Sequence, residues 1–202
     1  SVQVFQEFSA VPTPDSTPSL PVPRPPGVNP EHTFESLHGL SSQTSAIRAV
    51  MAGQRLVAFI YGGVGNGKTH LLEAVSNEQY PHGNYVPVLV FADLLSSFRS
   101  VINHSKQGDT GWDYDAVVLR VKQMPVLLLD DIGAGSSDTN WANQVLEEIF
   151  CYRFERGLRT IMTSNKNVTD LPERVQSRLN DKTKCYLIFN RAEDYRPKLG
   201  AK

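Results

Sequence analysis

Cysteine is scarce in this 202-residue chain, and so is any excess of charge of one sign. The two cysteines, Cys151 and Cys185, sit in apolar contexts with no CxxC partner and no neighbouring histidine. That excludes a disulfide framework and a cysteine–histidine zinc site, and it fits two reduced core thiols. A net charge of −1 excludes a molecule that grips nucleic acid by its overall field, so any basic surface has to be local. No apolar run approaches the roughly 20 residues that a bilayer crossing requires, and a basic-then-apolar leader is missing. These absences predict a soluble, cytoplasmic protein with no membrane partner. A starting methionine is absent too, which reads as the trimmed end of a longer chain in which another domain precedes residue 1.

Proline is what the first 30 residues have in abundance. It recurs at 12, 14, 18, 21, 23, 25, 26 and 30. Proline fixes φ and donates no backbone hydrogen bond, so the stretch neither pairs into a sheet nor continues a helix and reads as an extended tether. The opening Ser1–Phe5 segment reads as a strand or a docking peptide. The chain therefore divides into a Pro-rich linker, or the remnant of an N-terminal domain, over 1–30 and a folded domain over 31–202.

From residue 31 onward, short apolar runs alternate with helical periods. Strands are predicted at 55–61, 86–91, 126–129, 160–164 and 185–189. Helices are predicted at 42–52, 69–77, 93–101, 114–122, 140–154 and 171–179, with a loop over 105–112. Strands that are apolar on both faces and alternate with helices imply an α/β fold whose parallel sheet is covered on both sides.

Gly62-Gly63-Val64-Gly65-Asn66-Gly67-Lys68-Thr69 fits GxxxxGK[ST] and lies between a strand and a helix, where that pattern has a mechanism. Glycines let backbone amides turn towards phosphate oxygens, and the helix N-terminus adds its partial positive charge. Lys68 is expected to reach the β- and γ-phosphates of ATP, Thr69 to ligate Mg²⁺, and the following His70 to belong to the same cradle. A second strand ends in Asp130-Asp131. A carboxylate at the C-terminal tip of a parallel strand faces the ligand crevice, so Asp130 is expected on Mg²⁺ and Asp131 as the group that orients and deprotonates water. Asp131 is short for that task, which predicts slow hydrolysis. If the 160–164 strand lies between the two motif strands, Asn165 faces the γ-phosphate. Arg174 and Arg178 share one helix face. They suit either a solvated pair answering Glu173 and Asp181 or a trans-acting arginine presented to a neighbouring subunit.

In this order and spacing, segments 62–72, 125–133, 163–165, 173–179 and 189–196, with the lead-in Thr33-Phe34-Glu35-Ser36-Leu37, resemble the AAA+ domain of bacterial helicase loaders of the DnaC and DnaI type. IstB-like transposition ATPases are near relatives. The resemblance implies a three-layer P-loop domain with a five-stranded parallel sheet and no C-terminal lid. It implies catalytic roles for Lys68, Asp131, Asn165 (sensor 1) and Arg178 (arginine finger), and a sensor-2-like role at the nucleotide for Arg196. Partners implied are single-stranded DNA, further copies of the chain, and a replicative helicase reached through an N-terminal domain. Helix 93–106 would line a strand-binding channel with Phe98, Arg99, His104 and Lys106, although most of Leu94, Leu95 and Phe98 fits a core better. Two other functions share parts of this pattern. One is a duplex-binding transposition ATPase. The other is a small-molecule P-loop kinase, which would carry an arginine-bearing lid instead of the Asp130/Asn165/Arg178 series.

Overall fold

The computed structural model describes residues 28–106, 113–133 and 139–192. Within them the elements run α1 (Ser41–Met51), β1 (Val57–Tyr61), α2 (Lys68–Gln79), β2 (Val88–Val90), α3 (Phe91–Lys106), α4 (Tyr114–Gln123), β3 (Val126–Ile132), α5 (Asn140–Glu155), β4 (Arg159–Ser164), α6 (Glu173–Leu179) and β5 (Cys185–Phe189). Ser1–Phe5, the remainder of the Pro-rich stretch to residue 27, and Arg196 lie outside the described residues.

The five strands form one parallel sheet in the order β2-β3-β4-β1-β5. Strand alternation sorts the apolar side chains into two layers. Val57, Phe59, Leu127, Leu129 and Met162 face α3, α4, α5 and α6, where they meet Phe98, Val121, Ile149 and Val175. Ala58, Ile60, Leu128 and Ile161 face α1 and α2, where they meet Ile47, Val50, Leu71 and Val75. The sheet is thus buried on both sides, as its unbroken apolar runs require. Both cysteines are buried, and burial pushes the Cys185 thiol up to about 12. Among the described residues no helix is long and apolar enough to cross a membrane.

Several boundaries differ from expectation, and β3 runs on through Asp130 and Asp131 to Ile132. The strand expected at 86–91 shrinks to Val88–Val90, since Pro87 has no N–H for the ladder and Phe91 already opens α3. α3 then extends through Lys106, so residues 105 and 106, expected in a loop, are helical, and the remainder of that expected loop lies outside the described residues. The helix expected at 171–179 starts at Glu173. Leu171 stays extended (φ −86°, ψ 163°), because the residue before a proline is pushed out of the helical region.

Phe98 corrects one reading of the sequence. It is fully buried and meets Tyr114 edge-on, with ring centroids 5.7 Å apart, so it cannot stack on a nucleic-acid base. α3 is amphipathic, and Phe98 falls on the stripe with Leu94, Leu95 and Val101, where burial outweighs any surface role. Arg99 stays exposed and lies over the Trp141 ring at 4.9 Å.

Candidate nucleotide site

The loop between β1 and α2 turns on glycines whose backbone most other residues avoid. Gly62, Gly65 and Gly67 have φ of 145°, 73° and 85°, conformations that side chains with a Cβ resist. α2 begins at Lys68 directly after left-handed Gly67, with no side-chain cap. Its first N–H groups thus face the loop, the geometry of an anion site. Val64, at the loop tip, is 59% exposed.

Lys68 is buried and curls over its own loop. Its ammonium donates to the Gly62 carbonyl at 2.9 Å, the Gly63 carbonyl at 2.5 Å and Asn66 Oδ1 at 2.9 Å. Asn66 is buried as well, and Asn190, just past β5, holds it from behind. Asn66 Nδ2 donates to the Asn190 carbonyl at 3.2 Å, and Asn190 Nδ2 donates to the Asn66 carbonyl at 2.8 Å. Gln43 of α1 donates to Asn190 Oδ1 at 3.1 Å. A buried polar chain from α1 through Asn190 and Asn66 therefore ends on the Lys68 ammonium.

His70 is turned towards the lead-in segment. Its Nε2 lies 2.9 Å from Ser36 Oγ, and its ring stacks on His32 at 3.9 Å. Burial and the neighbouring His32 hold its pKa below the usual histidine value. His32 in turn pairs with Glu73 at 2.6 Å, and Asn77 donates to the carbonyls of Asn29 and His32, both at 2.8 Å. Among the described residues, contacts between the lead-in segment and α2 thus begin at Asn29.

Opposite the loop, β3 breaks its regular pairing. Leu129 pairs with Met162 and Ile132 with Ser164, so β3 carries one residue more than β4 between these points. Asp131 absorbs the bulge with φ 56°. It is the one non-glycine residue with positive φ among the described residues, a conformation costing about 1–3 kcal/mol that collects at functional sites. Asp130 is buried at 4% exposure, and both its oxygens are engaged. Oδ2 accepts from Thr69 Oγ1 at 2.7 Å, and Oδ1 accepts a short hydrogen bond from Thr163 Oγ1. Asp131 Oδ1 accepts from Asn165 Nδ2 at 2.6 Å. Burial and the charge of Asp130 push the Asp131 carboxyl above the ordinary carboxylate range, against the opposing pull of Lys68 and Asn165. A raised carboxyl pKa suits a proton acceptor better than a resting one does.

These residues fit Mg²⁺ with a triphosphate. A hydroxyl and a carboxylate at 2.7 Å are the one or two hard oxygens a protein supplies to this ion while phosphates and waters fill its other positions. Lys68, Thr69, Asp130, Asp131 and Asn165 thus lie together at one end of the sheet. Arg178 is not among them. Its guanidinium is held by Glu155 of α5 at 2.7 Å, and Arg174 by Glu147 at 2.7 Å, so the partners are α5 acids and not Glu173 or Asp181. Arg196 lies outside the described residues, as does the Lys106 side chain. Sequence reasoning missed Thr163 and Asn190 as members of the site. Only the polar end of an otherwise apolar β4 pointed to Thr163, and no local signal pointed to Asn190.

With β4 between β1 and β3, the glycine loop and the acidic bulge face each other across a single strand, as they do in P-loop ATPase domains of the AAA+ type. The family can be named more narrowly. Residues 28–188 match the model of the bacterial DnaA ATPase domain, and the chain belongs to that family. It is 26% identical over 152 residues to the replicative helicase loader DnaC of Escherichia coli K12, covering 73% of this chain and 59% of DnaC. It is 30% identical over 165 residues to the chromosomal replication initiator protein DnaA of Sulfurimonas denitrificans, covering 75% of this chain and 35% of that one. A structure of replication initiator DnaA bound to AMPPCP and single-stranded DNA superposes with a TM-score of 0.65 at 24% identity, covering 83% of this chain and 52% of that one. The chain thus spans only part of the curated relatives it matches.

Proposed function

We propose that this domain binds ATP with Mg²⁺, hydrolyses it slowly, assembles with further copies of itself on single-stranded DNA, and handles a replicative helicase. The observation that carries the reading is the 2.7 Å contact between Thr69 of the glycine loop and Asp130 of the bulge, which joins the two motifs into one cation-binding pair. Thr69 and Asp130 would hold Mg²⁺, which supplies charge neutralisation at the phosphates. Main-chain N–H groups of the loop cradle the phosphates, and Lys68 exchanges its loop carbonyls for phosphate oxygens. Asp131, oriented by Asn165, positions water and accepts its proton. The likeness to DnaC and to a DNA-bound DnaA supports the helicase and single-strand partners. The helicase contact would fall to an N-terminal domain of the kind the loader resemblance implies.

The match to the DnaA ATPase domain favours a second reading, an initiator-type ATPase that does not itself hold the helicase. ATPase rate with and without single-stranded DNA, and strand binding with and without ATP, test the shared core. Each ligand is expected to strengthen the effect of the other, and independence of the two would sink the proposal. Capture of the replicative helicase supports the loader over the initiator, and preference for duplex points instead to a transposition ATPase.

A further inference from the structure

Thr163 is fully buried in β4 and stands between the two acids of the bulge. Its hydroxyl bonds to both of them, once as donor and once as acceptor. The O–H donates to Asp130 Oδ1, and the oxygen accepts the Asp131 backbone N–H at 3.0 Å. Two consequences follow from hydrogen-bond chemistry. With Oδ1 of Asp130 fixed by Thr163, the remaining oxygen, Oδ2, is the one turned to Thr69 at 2.7 Å. The Asp131 N–H, displaced by the bulge, is met by a side chain in place of a strand carbonyl, which pins the residue in its left-handed conformation (φ 56°) and directs its carboxylate at Asn165. One hydroxyl thereby separates the two neighbouring carboxylates into two directions.

We infer that Thr163 is a positioning residue that aims Asp130 at the nucleotide's divalent cation and Asp131 at the attacking water, an assignment that rests on the nucleotide reading above. Valine matches its shape and provides neither donor nor acceptor, whereas serine provides both.

The test compares wild type, Thr163→Val and Thr163→Ser in three measurements: thermal melting without nucleotide, Mg²⁺ titration of the melting temperature at saturating AMPPCP, and kcat and KM for ATP. For Thr163→Val, the half-saturating Mg²⁺ concentration is expected to rise about tenfold, the scale set by groups that orient metal ligands. Its kcat should fall with little change in KM, and Thr163→Ser should stay within about twofold of wild type on the same scale. A purely structural threonine would lower melting equally at every Mg²⁺ concentration. An unchanged Mg²⁺ half-point in folded Thr163→Val, or a serine variant that behaves like valine, overturns the assignment. Should Thr163→Val not fold, Thr163→Ala removes the same hydroxyl and is read in the same way. A wild-type protein without any Mg–AMPPCP response overturns the nucleotide reading and this assignment together, whereas a responsive wild type matched by Thr163→Val overturns this assignment alone.

Discussion

Gly62 and Gly63 are adjacent in the phosphate loop, yet they answer to different constraints. A Cβ on Gly62 would stand 2.5 Å from the Asn190 carbonyl oxygen, on a backbone with φ of 145°. A Cβ on Gly63 would meet nothing within 4 Å. Gly62→Ala should therefore destabilise the nucleotide-free protein by well over about 1 kcal/mol, while Gly63→Ala should leave it unchanged or slightly more stable through the unfolded chain. Denaturant melts of the two variants check this, and equal stability would contradict the close approach of Asn190. The same pair shows what is legible in a sequence. The glycine pattern and the Asp130-Asp131 pair announce themselves because their chemistry needs fixed residue types at fixed short spacing. Asn190 does not, since its partner Asn66 is 124 residues away and no local pattern ties an asparagine after one strand to a loop after another. Thr163 stayed hidden for a related reason: its role depends on a bulge in the neighbouring strand, and alternation alone cannot locate an extra residue.

At the scale of elements, helices and strands were readable from periodicity because each buries one stripe or both faces. Their ends depended on proline and on tertiary contacts, as at Pro87 and Pro172. Periodicity did place Phe98 on the apolar stripe with Leu94 and Leu95, and the core reading of that stripe holds over the strand-binding one. Where elements meet, one arginine does what no pattern foretold. Arg153 of α5 is fully buried, and burial lowers its pKa to about 10, which still leaves it protonated at neutral pH. Its guanidinium donates to the carbonyls of Lys122 at 2.9 Å, Met124 at 2.7 Å and Arg159 at 2.6 Å, and to Thr160 Oγ1 at 3.0 Å. It thus fastens the end of α4 and the start of β4 to α5. Arg153→Leu would strand several buried acceptors and should cost at least about 2 kcal/mol, as each orphaned group carries its own desolvation penalty. Chemical denaturation measures it, and a loss below experimental error would show that water replaces the guanidinium.

Over the whole molecule, β4 settles the function of the sheet, for its central position brings two distant motifs into contact. Arg178 stands apart from that contact, held by a half-exposed glutamate in a surface pair worth about 0–1 kcal/mol, which a neighbouring phosphate could readily displace. If the arginine acts across subunits, Arg178→Ala should keep its ATP affinity and stability and lose about a thousandfold in assembled-state hydrolysis, the low end of what such arginines supply. Mixing it with Lys68→Ala should restore part of the rate, because each variant supplies the half that the other lacks. Loss of ATP affinity by an isolated Arg178→Ala molecule would show instead that the residue serves its own site. The pairing order carries a further consequence for biosynthesis. β1 emerges from the ribosome before either of its neighbours, β4 and β5, and Asn190 follows β5. The glycine loop of a nascent chain accordingly stays unbraced until β4, β5 and the asparagine behind them have cleared the exit tunnel.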